Sequence, residues 1–245
     1  QWEQGEVRDV HQDMMALTMD VISSVLFSTG STPEDCATVS ESLETIFTEF
    51  DIDVHTWRLL LPEWMPTAGR RRVTQAKAAL HKVLDARIAA GRAEPRSDLL
   101  GQLLSVRDED GTQMSNETLR EELLTLFVAG HETTANGLAW AWYVLSERPD
   151  IEQRLYEEVS GVLKGRAPTF EDLKAMPYNK MVFEETLRMF PPAPAFLRKA
   201  IGPDRIGDLD IPAGAEITLT PWVTHRHQAL WDKPDEFIPE RFSPE

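Results

Sequence analysis

Residues 115–147 read SNETLREELLTLFVAGHETTANGLAWAWYVLSE, the longest stretch of helical periodicity in the sequence. Ser115 can cap its start, and Arg148-Pro149 can close its end. An unbroken helix of this length would extend about 45 Å. An apolar stripe at helical spacing runs along its first half, formed by Leu119, Leu123, Leu126 and Phe127. The stretch therefore predicts one long helix within a mainly helical fold.

The middle of this helix departs from ordinary helix composition. Residues 129–134 read Ala-Gly-His-Glu-Thr-Thr, where packing would favour Leu or Ala. The Thr133 hydroxyl can donate to the carbonyl of Ala129, which bends a helix, and Gly130 leaves space beside the bend. The resulting groove could hold a small ligand, with Glu132 as an acid that passes protons. A simple kink with a surface glutamate is the alternative interpretation.

Other patterns for metal or nucleophile chemistry are incomplete. His131-Glu132 begins the zinc-protease pattern H-E-x-x-H, but residue 135 is Ala. His225 and His227 lie in an extended segment without a nearby cysteine or acid, and we interpret them as loop residues. A hydrolase would therefore have neither a metal site nor an activated nucleophile.

The rest of the chain predicts further helices followed by a small sheet. Helical patterns cover residues 7–27, 40–50, 70–90, 97–107, 150–164 and 178–190. The charge spacing in residues 150–164 indicates a solvated face. Strands are predicted over residues 196–201 and 216–220, with a type I turn at residues 211–214. We expect one domain over residues 1–245, with a helical body at about 7–190 and a sheet and loop region at about 191–245.

Composition and charge limit the possible partners. The 245 residues include 41 Asp and Glu and 25 Lys and Arg, so the formal net charge is 25 − 41 = −16. Such an acidic chain would repel a phosphate backbone, and we expect no nucleic-acid partner. A single cysteine, Cys36, excludes an internal disulfide. No apolar run approaches a membrane span, so we expect a cytoplasmic location, although an anchor preceding Gln1 stays possible.

Two arginines present an ambiguity that spacing alone leaves open. Arg188 can pair with Glu184 at i,i+4 or with Glu185 at i,i+3. An exposed pair would contribute little, whereas a buried guanidinium would need several acceptors. Arg198 lies in an apolar predicted strand, where an inward side chain would need an anionic partner and an outward one would not.

Three motifs in this order resemble those of the cytochrome P450 family, the haem-thiolate monooxygenases. Residues 129–134 match [AG]-G-x-[DE]-T-[TS], residues 185–188 match E-x-x-R, and residues 239–242 match P-E-R-F. The resemblance covers nearly the whole chain. It implies a mainly α fold with a small β region, of the cytochrome P450 type and truncated at both ends.

The resemblance also implies roles for individual residues. Glu132 and Thr133 would be the acid and alcohol that deliver protons to dioxygen. Ala129 and Gly130 would line the groove beside the haem, and Arg198 would pair with a haem propionate. A structural cluster, with no catalytic part, would consist of Glu185, Arg188 and Arg241.

The iron ligand of the family is a cysteine thiolate in a glycine-containing loop downstream of P-E-R-F. This sequence ends at Glu245, three residues after Phe242, and Cys36 has no aromatic or glycine context. We therefore interpret Cys36 as a helix-flanking residue and expect the ligand beyond Glu245. The sequence is predicted to be a central fragment that contains no metal ligand and does not hold haem b properly.

The activity implied for the intact protein is that of an oxidoreductase. A haem-dependent monooxygenase inserts one oxygen atom from dioxygen into a substrate, here expected to be a small, apolar organic molecule. Electrons would come from a ferredoxin or flavoprotein reductase, or from a fused reductase. The alternative is a catalytically dead helical scaffold or degenerate homologue, and the presence of Glu132 and Thr133 argues against it.

Overall fold

The computed structural model describes residues 5–27, 32–62, 64–94 and 97–244. The helices in these ranges are Val10–Phe27 (α1), Pro33–His55 (α2), Ala68–Ala93 (α3), Leu99–Ser105 (α4), Asn116–Glu147 (α5), Pro149–Leu163 (α6), Pro177–Met189 (α7) and Pro221–Thr224 (α8). Short 3-10 helices are Trp57–Leu60, Phe170–Ala175 and Pro239–Phe242. The predicted mainly helical fold with a small β region is confirmed. No helix of the described ranges is long and apolar enough to cross a membrane.

The start of α2 differs from the prediction. The helix begins at Pro33 because Thr32 caps it, with the Thr32 hydroxyl accepting from the amide of Asp35 at 3.1 Å. The Asp35 carboxylate accepts in turn from the Thr32 amide at 3.2 Å, which completes a capping box. The prediction that Cys36 flanks a helix is therefore wrong, because residue 36 lies within the first turn of α2.

Four short strands form two antiparallel pairs. They are Phe196–Lys199 (β1), Asp204–Ile206 (β2), Leu209–Ile211 (β3) and Glu216–Leu219 (β4). β1 pairs with β4, and β2 pairs with β3 in a hairpin that the sequence patterns did not predict. The predicted type I turn is wrong, because the hydrogen bond runs from Ala215 N to Pro212 O. Gly214, the third residue of that turn, has a φ of +80°, as a type II turn requires.

The described residues fall into two compact units, of which one is Met15–Glu132. The helices of this unit enclose a core of apolar side chains: Met19, Leu26, Phe27, Val39, Leu43, Leu80, Leu84, Ile88, Leu100, Leu119, Leu123 and Phe127. Burial of such side chains contributes about 1.5–3 kcal/mol each to folding, before the cost of chain entropy. The apolar stripe on α5 therefore has the structural role that its spacing predicted.

A buried carboxylate connects α2 to the start of α3 in the same unit. Glu49 accepts from Arg58 at 2.8 Å and also from Arg72. These two guanidinium groups hold the pKa of the Glu49 carboxyl below its ordinary value. Gly69 lies directly beside the pair, and a Cβ at that position would overlap Arg58 Nη2 and Glu49 Oε2. Glycine at residue 69 therefore leaves the space that the Arg58–Glu49 ion pair occupies in this arrangement.

The other unit comprises Gln1–Met14 and Thr133–Glu245. Its core consists of Val144, Ile151, Tyr178, Met181, Val182 and Phe237. The predicted solvated face of α6 is wrong in part, because Glu158 accepts from the amides of Tyr178 and Asn179 at 2.8 Å each. The carboxylate thus satisfies free N–H groups at the start of α7. Arg154 lies 3.8 Å from the centre of the Tyr178 ring.

Asp172, in the 3-10 helix Phe170–Ala175, gives a prediction about acid stability. Its carboxylate accepts from Arg166 at 2.5 and 2.7 Å and from the Thr169 amide at 2.7 Å. The hydrogen bonds from Arg166 are the main cause of an Asp172 pKa well below its ordinary value. A lowered folded-state pKa stabilises the protein above the unfolded pKa of about 3.9, and this stability is lost as pH falls through the folded pKa.

We therefore expect Asp172→Asn to lower the free energy of unfolding by a constant amount from pH 7 to about pH 5. The difference from wild type should shrink below about pH 4, as Asp172 of the unfolded wild type takes up a proton. Urea unfolding across this pH range measures the difference. A gap that stays constant down to pH 3 would contradict the assigned ion pair.

Candidate functional site

An arginine and a glutamate on α7 form a buried ion pair. Arg188 is 2% exposed and Glu185 is 0% exposed. Arg188 Nε donates to Glu185 Oε2 at 2.6 Å, and Arg188 Nη2 donates to Glu185 Oε1 at 2.8 Å. Two parallel hydrogen bonds of this kind fix both the distance and the orientation of the pair. The ambiguity left by the sequence is thus resolved, and Arg188 points inward toward Glu185.

The rest of the Arg188 guanidinium is occupied by backbone carbonyls. Nη1 donates to His225 O at 2.7 Å and to Pro234 O at 2.8 Å, and Nη2 donates to Glu236 O at 3.1 Å. His225 Nδ1 lies 3.0 Å from the carbonyl oxygen of Arg188 itself. A buried guanidinium is stable only when its donors have such acceptors. One side chain of α7 therefore holds the course of the loop from residue 225 to residue 236.

The third residue of the predicted cluster joins at Glu185. Arg241 Nε lies 3.3 Å from Glu185 Oε1, and Arg241 Nη2 donates to Lys233 O at 2.7 Å. Glu185 Oε1 also accepts from the amide of Ile238 at 2.8 Å. Glu185, Arg188 and Arg241 thus meet around one carboxylate. Their role in a haem-binding protein stays a prediction.

Two glutamates near the cluster in sequence or space form ion pairs outside it. Glu184 pairs with Lys180 at 3.5 Å on the exposed side of α7. Glu240, the acid of P-E-R-F, pairs with Arg154 of α6. Of the two neighbouring glutamates, only Glu185 lies in the buried cluster. Consecutive residues of a helix point about 100° apart, so Glu184 faces away from it.

The four residues of the predicted groove lie in one continuous run of α5. Glu132 is half-buried, while Ala129 and Thr133 are exposed. Gly130 is half-buried, and a Cβ there would lie 3.0 Å from Ile22 Cδ1 of α1. That distance is tighter than ordinary packing, so glycine permits a close approach of the two helices. The proton-delivery and haem-lining roles of these residues stay predictions.

A buried polar pair beside this run was missed from the sequence. His131 is 2% exposed and Thr18 of α1 is 4% exposed. His131 Nδ1 lies 3.0 Å from Thr18 Oγ1. A signal for its burial was present, because residue 131 continues the four-residue spacing of Leu119, Leu123 and Phe127.

Arg198 is a cation on an exposed strand. All four residues of β1 are exposed. The Arg198 guanidinium donates to Leu197 O at 3.0 Å, and its central carbon lies 5.1 Å from the centre of the Phe196 ring. Within the described ranges, no carboxylate pairs with Arg198. This arrangement presents a positive charge beside exposed apolar side chains.

Metal-binding side chains do not cluster in the part of the chain that the structure describes. No group of three or more His, Cys, Asp or Glu residues in it could hold a metal ion.

Comparison with known proteins connects this geometry to a family. The family model described as Cytochrome P450 matches residues 1–245. Cyclooctatin synthase of Streptomyces melanosporofaciens is 35% identical over 248 residues, which cover 100% of this chain and 54% of that protein. Cyclooctat-9-en-7-ol 5-monooxygenase of the same organism is 35% identical over 246 residues, which cover 98% of this chain and 53% of that protein.

A solved structure gives the same result for the fold. Retinoic acid-bound cyanobacterial CYP120A1 superposes with a TM-score of 0.80 at 28% sequence identity. The match covers 96% of this chain and 52% of that chain. The chain thus spans about half the length of the relatives it matches.

Proposed function

Because this chain belongs to the cytochrome P450 family, we propose that it takes part in a haem-dependent monooxygenation, in which one oxygen atom of dioxygen enters an organic substrate. The observation that carries the proposal is the acid–alcohol pair Glu132-Thr133, which is at least partly accessible in the middle of α5. A scaffold that only folds has no use for such a pair. The closely packed Gly130 and the buried His131 precede it directly.

Haem b supplies, when bound, the redox-active iron at which dioxygen is activated. Arg198 fits one edge of this group, because its guanidinium bonds only to backbone within the described ranges and lies beside exposed apolar side chains. Guanidinium and carboxylate form strong, charge-assisted pairs, so Arg198 would hold a propionate. Ala129 and Gly130 would border the ring. The proposal assigns no iron ligand within residues 1–245.

The chain's own part in the chemistry is proton supply. Activation of dioxygen consumes protons, and a positioned acid can accelerate such a step by about 10²–10⁴-fold. Glu132 is half-buried, so its carboxyl can exchange protons with solvent while staying close to the helix. The Thr133 hydroxyl can both accept and donate a hydrogen bond, so it would hold and pass on a proton at its Oγ1.

The substrate proposed is a small, apolar organic molecule. The name of one relative refers to an unsaturated alcohol, cyclooctat-9-en-7-ol, and the name of one solved structure refers to retinoic acid. Both names denote organic molecules, an alcohol and a carboxylic acid. Electrons would come from a ferredoxin or flavoprotein reductase, or from a fused reductase. Nucleic acid is not proposed as a partner, and the cytoplasmic location stays a prediction.

The test is Thr133→Ala in the complete reading frame that contains residues 1–245. We expect oxygen consumption to continue while product per oxygen consumed falls by at least about tenfold, because proton delivery is lost. The ratio is measured with an oxygen electrode and chromatography, with cyclooctat-9-en-7-ol and retinoic acid as probes and NADPH, ferredoxin and ferredoxin reductase as the electron source. Thr134→Ala, at the exposed neighbouring hydroxyl, is the matched control.

Two outcomes would count against the proposal. An unchanged ratio in Thr133→Ala would remove Thr133 from proton delivery. A complete reading frame that yields soluble protein without haem and without oxygen consumption would favour the alternative, a helical scaffold that has lost its activity.

A further inference from the structure

A line of buried side chains along α5 includes an imidazole. Leu119, Leu123 and Phe127 lie in the apolar core, and His131 follows at the same four-residue spacing. An imidazole in such a position is costly unless its nitrogen atoms find partners. The sequence therefore places a polar group at a core position directly before Glu132, and the structure provides its partner.

Thr18 of α1 is that partner. Thr18 Oγ1 donates to Met15 O at 3.2 Å and lies 3.0 Å from His131 Nδ1. With its hydrogen directed to Met15 O, the hydroxyl oxygen offers a lone pair to an N–H at His131 Nδ1. His131 is thus tied to α1 by a buried, directional contact.

The preceding residue is fixed to the same helix by packing. A Cβ at Gly130 would lie 3.0 Å from Ile22 Cδ1, so α5 and α1 approach closely there. Two consecutive residues of α5, Gly130 and His131, therefore contact α1. Each residue of an α-helix is rotated by about 100° from the one before it. These two contacts set the rotation of α5 about its axis, and this rotation determines where Glu132 points.

We propose that the hydrogen bond between Thr18 and His131 is a positioning contact for Glu132, required for efficient coupling of oxygen use to product formation. The inference rests on the proposed function and adds a residue to it, because Thr18 lies on a different helix from the proton-delivery pair. Loss of the hydroxyl removes the hydrogen bond that joins His131 Nδ1 to α1. α5 can then rotate about its axis, and the Glu132 carboxyl moves with it.

The test is Thr18→Val in the complete reading frame, because valine keeps the shape of threonine and removes the hydroxyl. We expect product per oxygen consumed to fall by about tenfold. A misplacement of 1 Å can lower a rate by about hundredfold, so a loss of this size corresponds to a smaller displacement. The KM for cyclooctat-9-en-7-ol or retinoic acid should stay unchanged, since substrate binding is not altered. Thr18→Ser restores the hydroxyl and should restore the ratio to within about twofold of wild type.

The matched control is Thr125→Val, the same chemical change on α5 itself. Its exposed hydroxyl donates to Glu121 O at 2.8 Å, within its own helix. We expect its coupling ratio to equal that of wild type. If Thr18→Val yields no haem protein, Thr18→Ala replaces it, because the smaller side chain leaves room for a water to accept from His131. Its coupling ratio should then lie between those of wild type and Glu132→Gln.

Glu132→Gln, measured in parallel, separates failure of this inference from failure of the proposed function. If Glu132→Gln lowers coupling while Thr18→Val has wild-type coupling, the positioning role is overturned and the proposed function stands. If Glu132→Gln leaves coupling unchanged, proton delivery by Glu132 and the positioning role are both overturned. Equal losses of coupling in Thr18→Val and Thr18→Ser would also overturn the inference, because the hydroxyl would then not matter.

Discussion

Arg188→Ala in the complete protein should abolish haem incorporation and most of the soluble yield. The substitution removes the two parallel hydrogen bonds that the fully buried Glu185 accepts from Arg188. The carbonyls of His225, Pro234 and Glu236 also lose their Arg188 donor. Breaking a buried ion pair by removing one partner costs about 3–5 kcal/mol. The free energy of unfolding of a domain is only about 5–15 kcal/mol, so this loss is a large part of it. Soluble yield, urea unfolding and the absorbance of bound haem measure the effect.

Two further variants define what Arg188 contributes. Arg188→Lys keeps the charge but cannot donate two parallel hydrogen bonds, so we expect it to be nearly as unstable as Arg188→Ala. Arg205→Ala is the matched control, because Arg205 is exposed on β2, and its ion pairs at 3.6 and 3.7 Å contribute little. Recovery of Arg188→Ala with wild-type yield and haem content would contradict the structural role.

Gly69→Ala should destabilise the unit Met15–Glu132. The added Cβ would overlap Arg58 Nη2 and Glu49 Oε2, so these two side-chain ends and the ion pair between them must shift to admit it. Arg58 is held by Glu49 at 2.8 Å and by Asp53 at 3.0 Å. Overpacking of this kind costs about 1–3 kcal/mol, and disruption of the ion pair adds to it. Urea unfolding measures the change.

Gly161→Ala provides the control for this prediction. Gly161 lies in α6, and a Cβ at this position has open space around it. Alanine is favoured over glycine in a helix by about 0.5–1 kcal/mol, so this variant should be more stable than wild type. If Gly69→Ala were also more stable than wild type, the packing of Gly69 against the Glu49 ion pair would be wrong.

Spacing predicted the elements of the site but not the direction in which their side chains point. The distance of three residues between Glu185 and Arg188 permits an exposed pair and a buried pair equally well. The buried arrangement depends on carbonyl oxygens of His225, Pro234 and Glu236, which lie 37–48 residues further along the chain. Every residue has a carbonyl, so an acceptor of this kind leaves no trace in the sequence pattern.

The same limit explains why the charged face of α6 was misinterpreted. Spacing of charges at i,i+4 suggested pairs within the helix, whereas Glu158 accepts from the amides at the start of α7. Helix starts present free N–H groups regardless of side chain, so the helix can be predicted but its carboxylate partner cannot. His131 is different, since its burial followed from the spacing of the apolar stripe and could have been predicted.

The two strand pairs have a consequence for handling the protein. In the described ranges, β1 bonds only to β4 and β2 only to β3, so each strand leaves one row of backbone groups open to solvent. Such edges can accept a further strand, and the exposed Phe196 and Leu197 would favour it. Lys199 faces Glu216 across the β1–β4 pair, and the neighbouring Arg198 adds a charge. High salt screens these charges, so self-association should begin at the β1–β4 pair in high-salt buffers. Low protein concentration and low salt should suppress it.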